Sequence, residues 1–125
     1  MRQSSEPELF QMNVRPVFAQ YVDDLRETGG LKGTDIANIA DVSEATVSRW
    51  SKGTASPHPR TQLVLSDLHY VVNRLRDYYS RDEIRVWLFA RHPQLDGERA
   101  IDLINAGKSE IVLDILERLD AGAFL

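Results

Sequence analysis

Arg49 and Lys52 stand three residues apart in the stretch IANIADVSEATVSRWSKG, residues 36–53, with Val47 and Trp50 interleaved. At helical spacing the two apolar residues share one face and the two bases share the other. A guanidinium presented this way can bond guanine edges bidentately in a major groove, and an ammonium suits phosphate. With Val47 and Trp50 inward, the outward set is Ser43, Glu44, Ala45, Thr46, Ser48, Arg49 and Lys52. The hydroxyls of Ser43 and Ser48 reach bases or phosphate, and the Glu44 carboxylate accepts from cytosine. The chemistry implied is nucleic-acid recognition.

Such a face must be held by a second helix crossing close behind it. That crossing needs a small residue at the contact, a turn residue tolerant of left-handed backbone, and a β-branched and a large residue pointing inward on the second helix. Ala37, Asp41, Val47 and Trp50 fall in those positions in step. Glycine is the usual turn residue, and aspartate enters the left-handed region more easily than most others. The first helix is expected from about Thr34, with Thr34 as its N-cap and its backbone N–H placed for a phosphate. Ser43 is expected to cap the second. An ordinary helix pair is the plain alternative.

Charge works against tight binding of a polyanion. The chain of 125 residues has formal net charge -4, with seven bases against eight acids in residues 1–60 and eight against eleven in 61–125. A local basic patch does exist, since residues 45–60 hold Arg49, Lys52 and Arg60 with no acid. Few basic contacts per protomer imply weak, salt-dependent affinity unless a dimer doubles them. Another partner is therefore expected to engage the remainder.

The elements around this stretch read as helices almost throughout. Residues 1–13 are a polar tail. Val17, Phe18, Tyr21, Val22 and Leu25 form one stripe that stops at Gly29 and Gly30. The prolines of TASPHPR exclude a continuous helix and mark the joint between two parts, a helix-turn-helix bundle over 14–60 and a helical part over 61–125. From Thr61 a pattern of about five turns runs through Val64, Leu65, Leu68, Val71, Val72, Leu75 and Tyr79. Ser80 and Glu83 form a capping box that opens a helix with Ile84, Trp87 and Leu88 inward. RHPQLDG breaks it, and two helices around 98–105 and 109–119 follow. No stretch alternates as a strand, so the fold class expected is all-α.

At this length and 42% hydrophobic content the chain buries one moderate core. It has no cysteine, which removes disulfides and thiolate metal sites and fits a cytoplasmic address. His58, His69 and His92 lack metal-ligand spacing, and hydrogen-bonded or surface roles are expected. No nucleophile elbow or phosphate loop occurs, so neither an enzyme nor a cofactor is expected. Asp23-Asp24 and Asp82-Glu83 are expected on solvated faces or at helix N-termini. Tyr70, Tyr78, Tyr79, Trp87 and Phe89 are core or interface. The ending LDAGAFL leaves Phe124 either folded onto the core or inserted into a partner, with Gly122 giving the turn.

The order of parts resembles the antitoxins of the Xre/MbcA/ParS family. The second half carries most of the likeness, in Trp87-Leu88, His92-Pro93, Leu95, Gly97, Ala100, Asp102-Leu103-Ile104, Gly107, Val112, Leu116, Arg118-Leu119 and Gly122. The resemblance implies a RES-domain toxin as partner, one that consumes NAD and is silenced when the antitoxin's C-terminal end blocks its cleft. Arg118, Gly122, Ala123, Phe124 and Leu125 would be that end. It also implies a homodimer and autoregulation of a shared operon, with NAD as the toxin's substrate. The runner-up is a stand-alone regulator whose second half only dimerises.

Overall fold

The computed structural model describes residues 16–122, and their regular structure is helical apart from one isolated antiparallel bridge, Arg91 to Arg99. The chain is all-α. In order come α1 (Val17–Glu27), α2 (Gly33–Ala40), α3 (Glu44–Lys52), α4 (Pro59–Leu75), α5 (Arg81–Phe89), a 3-10 turn (Pro93–Leu95), α6 (Ala100–Asn105) and α7 (Ser109–Asp120).

Local chemistry sets most of these boundaries. Ser43 caps α3 by accepting from the Thr46 N–H at 3.2 Å. The capping box at α5 is closed from both sides, Ser80 N–H to Glu83 Oε1 at 2.8 Å and Glu83 N–H to Ser80 Oγ at 3.4 Å. Three expectations shift. Thr34 is not the N-cap of α2: Lys32 is, two residues earlier, because Asp35 accepts its N–H at 2.7 Å and closes the first turn there. Helix α4 begins at Pro59, whose missing N–H costs nothing in the first turn, and it ends at Leu75 without Tyr79. Val17 is 51% exposed, and α1 buries Ala19, Val22 and Leu25 instead.

Helix α4 is the spine. Its Val64, Leu65, Leu68, Val71, Val72 and Leu75 are buried, with α1 packed on one side and α6 and α7 on another. One continuous cluster of buried apolar residues therefore runs from Val22 to Leu116. Gly29 permits a close approach: a Cβ there would meet Leu25 O at 2.8 Å and Val72 Cγ2 at 3.1 Å, so a side chain would force the end of α1 or Val72 on α4 to shift.

Polar ties join distant helices. Asp23 and Asp24 are half-buried rather than fully solvated, and both are paired. Ser51 Oγ donates to Asp23 at 2.7 Å, linking α3 to α1, and Asp24 pairs with His69 Nε2 at 2.8 Å, linking α1 to α4. The His69 ring also stacks on Tyr21, with centroids 4.1 Å apart. Asp82 and Glu83 are exposed in the first turn of α5, as the sequence implied.

Arg85 on α5 forks onto both carboxylate oxygens of Asp35 and also donates to Gly30 O at 3.2 Å. Burial raises the Asp35 carboxyl, but the hydrogen bonds from Arg85 and the Lys32 N–H and the nearby positive charge outweigh it, leaving its pKa below the usual 3.8. A depressed folded pKa means the stabilisation is full above the ordinary carboxylate value and is lost as pH falls through the lower folded one. Asp35→Asn is expected to cost about 1–2 kcal/mol at neutral pH, through the weakened Arg85 contact. It should also flatten the loss of stability below about pH 4. Denaturant titrations at pH 7 and in steps below 4 check both; an acid limb as steep as wild type would refute the assignment.

Candidate functional site

The four spaced positions in residues 36–53 come together as the spacing requires. Ala37 is 5% exposed, Val47 2% and Trp50 4%, so the first helix crosses the second at its small residue. Asp41 ends α2 in left-handed backbone, φ 57 and ψ 49, and Val42 N–H closes the turn onto Ala37 O at 3.0 Å. Thr34, Ser43, Glu44, Ala45, Ser48, Arg49 and Lys52 are all exposed.

Their hydrogen bonds differ in what they leave available. Ser43 Oγ is committed to the cap and to Thr46 Oγ1 at 3.0 Å, which makes it a positioning group first. Arg49 spends one donor on Thr46 Oγ1 at 2.9 Å, which aims the guanidinium and leaves its other donors facing outward. A shallow depression brings Arg26 and Lys32 alongside Thr34, Glu44 and Ser48. Sequence reasoning misses these two bases, because they lie on different elements and no spacing links them to Arg49. With them the basic set near α3 grows to Arg26, Lys32, Arg49 and Lys52.

At the other end of the chain, Arg118 is exposed in the last turn of α7, and Gly122 is exposed with φ 88, so the chain turns there in backbone that favours glycine. Ala123, Phe124 and Leu125 lie outside the described residues. The end of α7 is fastened to the end of α4: Asp120 pairs with Arg74 and accepts from Tyr78 Oη at 2.6 Å.

Most of the residues that carry the sequence likeness are scaffold. Trp87, Leu88, Leu95, Ala100, Leu103, Ile104, Val112 and Leu116 are buried. His92 Nε2 bonds Trp87 O at 2.7 Å, which ties the 3-10 turn to α5. Asp102 takes the Arg99 fork at 2.7 and 2.9 Å, and that hydrogen-bonded guanidinium holds the carboxyl below its usual value. The aromatic group divides: Trp87 is buried, Tyr79 and Phe89 are half-buried, and Tyr70 and Tyr78 are exposed. Among the described residues no three His, Cys, Asp or Glu side chains cluster for a metal, and no helix is long and apolar enough to cross a membrane.

No family model matches the chain. It is 29% identical over 109 residues to mycobacterial cidal antitoxin MbcA of Mycobacterium tuberculosis, covering 87% of this chain and 96% of that one. A probable mycobacterial cidal antitoxin of the same organism is 29% identical over 111 residues, covering 89% and 95%. Among solved structures, a chain of the M. tuberculosis MbcT-MbcA toxin-antitoxin complex superposes with a TM-score of 0.77 at 29% identity, over 88% of this chain and 99% of that one. Likeness along nearly the full length of these proteins, joined to a closely superposing fold, makes this chain similar to the MbcA antitoxins.

Proposed function

We propose that the chain is the antitoxin of a toxin-antitoxin pair. It holds a RES-domain toxin inactive by laying its C-terminal end, Arg118, Gly122, Ala123, Phe124 and Leu125, in the toxin's cleft, and it represses its own operon through the outer face of α3. The observation that carries this reading is the superposition on a chain of a solved toxin-antitoxin complex. Residues 14–60 are the DNA-binding part, 61–125 the dimerisation and toxin-binding part, and 1–13 a tail. NAD is the toxin's substrate, and this chain contributes no catalytic group and needs no cofactor. A homodimer doubles the four basic side chains near α3, which offsets a net charge that otherwise repels DNA.

Co-expression with the adjacent toxin gene tests the first half of the reading. The two proteins are expected to purify together with NAD consumption silenced; separate elution with full toxin activity would end it. Arg49→Ala tests the second half. It should weaken operator binding by roughly 1–3 kcal/mol and relax the preference at one base pair, whereas Lys52→Ala should weaken binding to all sequences alike. Both variants should still silence the toxin. Unchanged operator affinity for Arg49→Ala, in gel-shift titrations at fixed salt, would remove α3 from the interface.

A further inference from the structure

We propose that a groove beside α5 receives an apolar side chain of the toxin, flanked by lysine or arginine; this rests on the antitoxin reading above. Its floor is apolar, built from Tyr79, Val86, Trp87 and Ala90, with His92 at one end. Val86 is 65% exposed, an aliphatic side chain that no described residue covers from solvent. The charged lining residues are Asp82 and Glu83.

Two features point to an occupant. The Trp87 indole N–H is buried and finds no acceptor among the described residues. An unmet buried donor is costly, and a backbone carbonyl arriving with a partner segment relieves that cost. The acidic rim then selects among occupants. A second copy seated groove to groove about a two-fold axis would set Asp82 and Glu83 against their own duplicates. Residues 119–125 hold no base that this rim could attract. A partner segment with basic flanks is attracted instead.

Titrating wild type, Val86→Lys, Val86→Ser and Asp82→Asn with the co-expressed toxin tests this. Either Val86 variant should weaken the complex by about tenfold or more, the scale of one buried aliphatic contact, with melting temperature unchanged because the position is exposed. Asp82→Asn should weaken it by about threefold and reduce its salt dependence. In nitrogen-15 spectra the Trp87 indole resonance should move downfield when toxin is added. Toxin affinity equal to wild type in both Val86 variants would overturn the proposal. So would a dimer-to-monomer shift of free Val86→Lys with toxin affinity unchanged, which assigns the groove to a second copy. Movement of the Trp87 signal in the free chain when residues 123–125 are deleted would assign it to the chain's own end. Failure of wild type to bind toxin would instead sink the antitoxin reading itself, and the groove's occupant with it.

Discussion

Deleting residues 121–125 is expected to leave the melting temperature and operator binding close to wild type while the toxin, still held by the remaining helices, regains NAD consumption. Ala121 and Gly122 are exposed, so their loss opens no cavity. The fastening of α7 to Arg74 and Tyr78 goes through Asp120, which the truncated chain keeps. Phe124 is the proposed anchor because an aromatic side chain beyond a glycine turn buries a large area with only two rotatable bonds to freeze. Arg118, exposed one turn before Gly122, then sits at the cleft mouth and is placed to pair with an acidic toxin residue. If Phe124 were instead a core residue, its removal would cost roughly 3–5 kcal/mol and lower the melting temperature first. A truncated chain that melts normally and still silences the toxin would end the plug reading, and one that melts early would assign Phe124 to the core.

Leu68→Ala is expected to destabilise the fold more than Asp35→Asn does, by about 2–5 kcal/mol out of a total on the order of 5–15. Leu68 is fully buried near the middle of α4, the helix against which α1, α6 and α7 pack. Because one cluster of buried side chains continues from Val22 to Leu116, the variant should melt in a single transition at a lower temperature. Near-ultraviolet dichroism and amide exchange at Trp50 and Trp87, one in each half, should report the same midpoint. Two separated transitions would show that the halves hold together independently.

Both results depend on features that differ in how far they could be read from the amino-acid order. The α2–α3 unit was legible because each of its requirements is local. Ala37, Asp41, Val47 and Trp50 span fourteen residues, and helical pitch alone decides which of them face inward. The Ser80–Glu83 box and the proline-marked break before α4 were legible for the same reason, since each is closed by atoms within one turn. The outward set from Ser43 to Lys52 followed by subtraction.

What the tertiary structure alone decided concerns partners far apart in the chain. Asp35 and Arg85 are separated by fifty positions, and nothing in the periodicity of either helix says that α5 will bring its guanidinium to the start of α2. Asp24, read as a solvated carboxylate, instead meets His69 across the α1–α4 contact. Arg26 and Lys32 join the α3 face, and Tyr79, Val86 and Trp87 line one groove, only after the loops have set the angles between helices. Helix formation is governed by side chains within about four residues of one another, and those the sequence states directly. Which faces then meet depends on how ridges pack into grooves and on loop geometry, such as the close approach that Gly29 allows, and so it is settled only when the whole core has formed.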